Sequence, residues 1–360
     1  MNKNSMLFVG LDLGDKYSYI AILDKEGELI EETRLPTTKT SFHQRFSMLP
    51  PCRVAMEVGA QSRWASHMLR ELGHDVLVAN ARKLRAIYHN PRKGDRVDAE
   101  TLARLARLDP TLLSPIHHRS PKAQAHLAVI RSRDALVRSR TLLINHVRGL
   151  TKSSGDRLPS CSAACFASKV AQAIPEQLLP ALLPVLDTIA SLSQQIRAYD
   201  RQIATLCQEE FPETRQLQSI AGVGPLTSLA FVLTLEEPHR FARSREVGPA
   251  LGLVPKRDQS GDRDPQLRIT KTGDSYLRRL LVCSAQYILG PFGPDCDLRR
   301  WGLKLAERGG KNAKRRAVVA VARKLAILLH HLWKTGEIYD PFIQGAERVS
   351  RASTVLAGVR

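Results

Sequence analysis

The chain has 360 residues, 43% of them hydrophobic, which suits two or three folded domains and excludes a disordered protein. Lysine and arginine total 54 against 35 acids, a net charge of +19 that points to a polyanionic partner, with nucleic acid ahead of an acidic membrane surface. No apolar run is long enough to span a bilayer, and the polar start does not read as a signal peptide. The scattered cysteines Cys52, Cys161, Cys165, Cys207, Cys283 and Cys296 read as reduced thiols, so a cytoplasmic protein without a membrane partner is expected. Cys161 and Cys165 have the spacing of one helical turn, but no second ligand pair follows at zinc-site distance.

In chain order, residues 6–23 (MLFVGLDLGDKYSYIAIL) read as strand, a glycine-containing stretch and strand again. Gly27 marks a hairpin turn into a third strand over 28–35. A short apolar strand is predicted at 53–58, a helix over 64–72 and another strand over 75–80. The order implies a mixed sheet with helices packed on it. Residues 98–108 have helical spacing with Leu102, Leu105 and Ala106 on one face, and 120–150 form a long arginine-rich helix. The polar stretch 153–166 is a loop or linker. Leu186, Ile189, Leu192, Ile196 and Ile203 recur at near-helical spacing and predict a helix over 178–210, either a coiled-coil arm or a packed core helix. The expected organisation is therefore an α/β domain at 1–150, a helical linker or arm at 151–213, a mainly α-helical domain at 214–342 and a flexible tail at 343–360. Within the last domain, helices are predicted at 275–289 and 313–334. There is no internal repeat.

Four acids stand out. Asp12 lies in a strand-like segment between Gly10 and Gly14, where small neighbours leave room for a phosphate backbone. Glu57 closes the strand in AMEVG. Asp95 and Asp98 are three apart at a helix start and can share one face. Like charges brought together are costly unless a cation lies between them, and hard oxygen ligands suit magnesium or manganese. Such a site serves phosphoryl transfer. Taken one at a time, the same residues read as turn or capping aspartates.

SIAGVGPLTS has the form of a helix-hairpin-helix. Gly222 and Gly224 would turn the chain so that N–H groups at the next helix start hold a backbone phosphate. Arg240, Arg243 and Arg245 follow. Ser260 then precedes Gly261 in a polar loop with Lys256, Arg257, Arg263 and Arg268, whose charges would stabilise an attacked phosphate. Lys271, Arg278 and Arg279 extend the basic surface. Arg299, Arg300, Lys304, Arg308, Lys311, Lys314, Arg315 and Arg316 form a dense basic stretch suited to phosphate contact. His117, His118, His330 and His331 lack ligand-like spacing and read as ordinary core or surface residues.

GLDLG, AMEVGA, KGDRVDAETLARL, SIAGVGPLTS, GLVPKRDQSG and TKTGDSYLRRLL occur in that order, and the set resembles the DEDD transposases of the insertion sequence 110 family, the bridge-RNA-guided recombinases. The likeness covers residues 7–342. It implies a ribonuclease-H-like N-terminal domain of the RuvC, Holliday-junction-resolvase type, with Asp12, Glu57, Asp95 and Asp98 as magnesium ligands. It also implies a helical transposase domain in which Ser260 attacks DNA and forms a phosphoserine link. Donor and target DNA, an element-encoded guide RNA and a nucleoid setting come with it. So does a homodimer or homotetramer whose active site joins acids and serine from different subunits. Two other readings fit the residues: a metal-dependent nuclease or junction resolvase with no covalent intermediate, and a non-catalytic nucleic-acid-binding protein.

Overall fold

The computed structural model describes residues 6–81, 94–265 and 267–342, so the expected tail at 343–360 lies outside the described residues. The chain divides into two compact units between His118 and Arg119.

The first unit is built on a five-stranded mixed sheet. Its strands are β1 (Phe8–Asp12), β2 (Tyr17–Leu23), β3 (Leu29–Pro36), β4 (Arg53–Glu57) and β5 (Asp75–Ala79), in the order β3-β2-β1-β4-β5. β2 runs antiparallel to β1 and β3, while β1, β4 and β5 are parallel neighbours. The glycine turn forms as the sequence predicts: Gly27 adopts φ +94°, and Asp24 Oδ1 accepts from the N–H groups of Gly27 and Glu28 at 2.8 and 2.9 Å.

Alternation along the strands sorts the two faces. Val9, Leu11, Ile20, Ile22, Val54, Met56, Val76 and Val78 pack on one side with α1 (Lys39–Ser47) and α2 (Ser62–Glu71), through Phe42, Phe46, Ala65 and Leu69. The sequence reading passed over α1. Its marks are a Thr38 cap, which accepts from the Ser41 N–H at 3.2 Å, and the pair Phe42 and Phe46 one turn apart. The opposite face carries Phe8, Leu23, Ala55 and Ala79, covered by Leu102, Ala103 and Ala106 of α3 (Asp95–Leu108). This mixed sheet with helices on both faces is the arrangement expected of a ribonuclease-H-like domain.

The second unit is helical. It comprises α4 (Pro121–Ser153), α5 (Phe166–Val170), α6 (Leu179–Glu209), α7 (Thr214–Leu217), α8 (Pro225–Leu235), α9 (Val247–Ala250), α10 (Ser275–Leu289), α11 (Asp297–Ala306) and α12 (Ala313–Thr335). Every residue of α8 from Thr227 to Leu235 is buried, so this apolar segment forms the centre around which α10 and α12 pack. The sequence reading placed the long helix inside a first domain ending at 150. By compactness that helix goes with the second unit, because Ala123, Leu127 and Ile130 sit in the same core as α8 and α12.

α4 and α6 pack along each other as a hairpin. Ile203, Leu206 and Cys207 join the central core at its base, while Ile144 and Val147 meet Leu182, Leu186 and Ile189 in a separate core further out, closed by Phe166 and Val170. The stretch between is polar: Arg133 pairs with Asp200, and Arg140 donates to Ser193 Oγ at 3.2 Å. The apolar stripe of α6 is thus covered within the chain. Cys161 and Cys165 precede α5 and do not share a helical turn, and Cys165 instead lies 3.0 Å from Ser162 Oγ.

Candidate active site

The four acids lie toward the same end of the first unit's sheet. Gly10 and Asp12 share a face of β1, and Ala55 and Glu57 share the same face of β4, the face that α3 covers. β1 and β4 are parallel and paired at Leu11 and Met56, so Asp12 and Glu57 close neighbouring strands at the same end of the sheet. A Cβ built at Gly10 would lie 1.8 Å from the carbonyl oxygen of Ala99 and 2.6 Å from the nitrogen of Ala103. Only glycine lets the α3 backbone come this close. Ala99 and Ala103 lie over Gly10, and Ala103 also packs on Phe8, so α3 runs antiparallel to β1. Its first turn, with Asp95 and Asp98, therefore lies toward the strand end that carries Asp12. The partial positive charge of a helix N-terminus favours carboxylates there.

Asp12, Glu57 and Asp98 are half-buried, with Asp98 Oδ1 shielded from solvent, and Asp95 is exposed. Among the described residues no three His, Cys, Asp or Glu side chains approach closely enough to hold a metal ion. The donor chemistry, carboxylates alone, fits a hard divalent cation.

The turn after Glu57 is pinned by two residues that the sequence reading did not single out for this. Buried Ser62 accepts from the Gly59 N–H at 3.0 Å and donates to the Gly59 carbonyl at 2.8 Å. His118 Nε2 lies 3.0 Å from the same hydroxyl. A partner 56 residues away leaves no local signal in the sequence.

In the second unit, Ser260 is exposed at the tip of a two-stranded excursion. The legs pair through Thr270 N–H to the Val254 carbonyl and Lys256 N–H to the Arg268 carbonyl, each 2.9 Å. At the tip Ser260 and Arg263 exchange backbone hydrogen bonds of 3.1 and 3.0 Å, leaving Gly261 and Asp262 as a two-residue turn. Gly261 has φ +54°, which a glycine at the first central position of such a turn supplies without strain. Asp264 lies 3.6 Å from Arg257, so one of the two acids beside the serine pairs with a neighbouring cation. Lys256, Arg263 and Arg268 are exposed around it.

The root of this excursion is tightly built. Cβ atoms at Gly252 and Gly273 would lie 2.3 Å from Thr272 N and 2.0 Å from the Ala250 carbonyl oxygen, so the two backbones touch there. Arg278 ties the same root by donating to the carbonyls of Leu251 and Thr272 at 2.9 and 2.7 Å. Lys271, exposed with φ +56°, stands beside it. Arg279 pairs with Asp134 and lies over the Tyr276 ring.

The glycine turn of SIAGVGPLTS joins α7, a single turn, to α8. Val223 N–H donates to the Ile220 carbonyl at 3.0 Å around Gly222, at φ +85°, and Gly224 caps α8. The later basic stretch divides. Arg299 donates to the carbonyls of Ile288 and Gly290 at the end of α10, and Arg300 pairs with Asp295. Lys304, Arg308, Lys311, Lys314, Arg315 and Arg316 are exposed around the turn between α11 and α12.

Two family models match the chain, and they do so in order. Residues 9–153 match a transposase model of the IS110 DEDD type, and residues 214–294 match the model described as Transposase IS116/IS110/IS902 family. The chain belongs to this transposase family. A probable family 20 transposase of Pseudomonas aeruginosa is 28% identical over 92% of this chain and 98% of its own length. The transposase for insertion sequence element IS1328 of Yersinia enterocolitica is 29% identical over 93% and 99%, and that for IS1111A of Coxiella burnetii is 27% identical over 92% and 90%. The first IS110-family match contains Asp12, Glu57, Asp95 and Asp98. The second contains Gly222, Gly224, Ser260, Arg278 and Arg279, while Arg315 and Arg316 lie beyond it. Among the described residues no helix is long and apolar enough to cross a membrane.

Proposed function

We propose that this IS110-family transposase cuts and rejoins DNA with a carboxylate site, Asp12, Glu57, Asp95 and Asp98, and a nucleophilic serine, Ser260. The observation that carries the reading is where the acids lie. Two carboxylates close neighbouring parallel strands, under the first turn of a helix that brings two more and that Gly10 admits to backbone contact. Four carboxylates toward one end of the sheet would have a clear use if a cation drew them together. A magnesium or manganese ion held by these acids supplies Lewis-acid stabilisation of phosphate charge. The RuvC-type relationship belongs to the same proposal.

Ser260 is exposed on a tip whose root is rigid and whose surroundings are cationic, as a hydroxyl that must reach a DNA backbone requires. In the proposed step its Oγ forms a bond to phosphorus, and the bond from phosphorus to one sugar oxygen breaks. The hydroxyl proton leaves to a base, and the departing sugar oxygen takes one up. Attack by the hydroxyl of a second strand then restores the serine and completes strand exchange. Lys256, Arg263 and Arg268 would stabilise charge on the attacked phosphate. Gly222, Gly224, Lys271, Arg315 and Arg316, with the exposed cations beside the last two, would hold the backbone of donor and target DNA. Arg257, Arg278 and Arg279 already have partners within the chain, so their proposed contacts with DNA are secondary. An element-encoded guide RNA and a homodimer or homotetramer complete the proposal, supported by the family resemblance and the net charge of +19.

Covalent trapping tests it. Purified protein, magnesium, element-derived RNA and donor DNA are resolved on a denaturing gel beside Ser260→Ala and Asp12→Ala. The expected result is a DNA-linked protein band absent from both variants. Cleavage by Ser260→Ala with no linked band from the parent would replace the serine step with metal-dependent hydrolysis.

A further inference from the structure

The turn that leads into α8 borders a cleft of about 460 Å³, within the range of small-molecule sites. It is lined by Gly222, Val223 and Gly224 of the turn, by Thr227 of α8, and by Ser284 and Tyr287 of α10. Gly222 lies against the Tyr287 ring: a Cβ there would come 2.9 Å from its Cδ1 atom. The outer side of the ring is open, Tyr287 being 47% exposed, and Phe292 follows at 83%.

Three features give the cleft its chemistry. The Gly224 N–H group, which borders the cleft at the N-terminus of an eleven-residue helix, donates to nothing among the described residues. Ser284 and Thr227 are only 4% and 8% exposed, line the cleft, and their hydroxyls likewise make no hydrogen bond there. Neither hydroxyl is a shut-in orphan: both stay open to solvent in the cleft, whereas those of Ser193 and Thr151 are spent on helix carbonyls. The third feature is the open aromatic face.

We infer that this cleft takes one unpaired nucleotide: its phosphate on the Gly224 N–H group at the start of α8, its base against the Tyr287 ring, and the base edge bonded by Ser284 and Thr227. The inference rests on the nucleic-acid reading of the glycine turn and narrows it. Helix N-termini hold phosphate, aromatic rings hold bases through their π faces, and free hydroxyls bond either a donor or an acceptor on a base edge. A base inside a duplex presents no free face to stack on. The site therefore selects single strands, or nucleotides turned out of a helix.

The test uses the full chain with three probes of one sequence: a short single-stranded DNA, the matching RNA and the blunt DNA duplex. Binding is followed by fluorescence anisotropy for the parent, Tyr287→Leu, which keeps an apolar cover on Gly222, and Ser284→Ala. Tyr287→Leu should weaken single-strand binding by about tenfold and duplex binding by less than about twofold. Whichever of DNA and RNA loses more is the natural source. Cys283, exposed on the same α10 face, gives a second readout. Its alkylation by a maleimide, measured on the peptide by mass spectrometry, should be slowed by the single strand and not by the duplex. Equal loss for single strand and duplex, or a Cys283 rate indifferent to the single strand, overturns the inference while leaving duplex binding intact. Absence of binding to all three probes would instead overturn the nucleic-acid reading beneath it.

Discussion

His330 shows how a single residue links burial to pH. It is fully buried on α12, with Nδ1 2.9 Å from Ser244 Oγ and Nε2 2.8 Å from the Pro238 carbonyl. Burial pushes its pKa below the ordinary 6.5, with the Pro238 carbonyl opposing and nearby Lys334 adding to the fall. The unfolded chain therefore binds the proton more readily than the folded one. The stability that depends on neutral His330 is full above pH 6.5 and is lost as pH falls below it. Buried His74, lowered chiefly by desolvation, acts in the same direction. Thermal melts should hold a level Tm above about pH 7 and fall steadily toward about pH 5, with a shallower fall for His330→Gln. Identical slopes for variant and parent would show that His330 carries none of the effect. The sequence offered His330 and His331 as an undifferentiated pair. The fold buries the first and leaves the second exposed, 3.2 Å from Glu337.

Among the elements, α3 and the serine excursion decide the chemistry, and both depend on glycines at backbone contacts. Gly10→Ala puts a methyl against the backbone of α3, where no flexible side chain can yield. It should cost roughly 1–3 kcal/mol or more of stability and shift the helix turn bearing Asp95 and Asp98. The expected outcome is a lower denaturant midpoint together with loss of magnesium-dependent DNA cleavage. Gly59→Ala is the control, since nothing lies within 4 Å of a Cβ there. Its midpoint should match the parent, and a drop equal to that of Gly10→Ala would remove the packing argument. Gly10 was noted in the sequence for space beside Asp12. Its contact with α3 was not legible there, because Ala99 and Ala103 are some ninety residues away. Gly252 and Gly273 escaped notice for the same reason, whereas Gly27 and Gly261 act through local turns and were readable.

For the whole molecule, the net charge of +19 sets the terms of association. Affinity for duplex DNA should fall linearly in log–log form with salt as counterions are released. The double variant Lys314→Ala/Arg315→Ala should lower that slope by roughly two if both residues contact phosphates. A slope equal to the parent's would move the DNA contact elsewhere. Arg299 and Arg300, from the same basic run, should matter less, since one is committed to the end of α10 and the other to Asp295.

What the sequence determined by itself was whatever is written in local periodicity and local turns. That includes the succession of strands along the first unit, the long helices expected at 120–150 and 178–210, the glycine turns at Gly27 and Gly261, the excess of positive charge and the succession of motifs that places the chain among the IS110-family transposases. What only the tertiary structure decided were the pairings between distant residues. The compact units part at His118, because α4 buries Leu127 and Ile130 in the helical core. Arg278 braces a loop root while the cations near α12 lie exposed, and a glycine turn, two hydroxyls and a tyrosine ring meet around one cleft. Periodicity reports which face of an element is apolar. Which distant element covers that face, and which polar groups are thereby spent, is settled only when the chain packs.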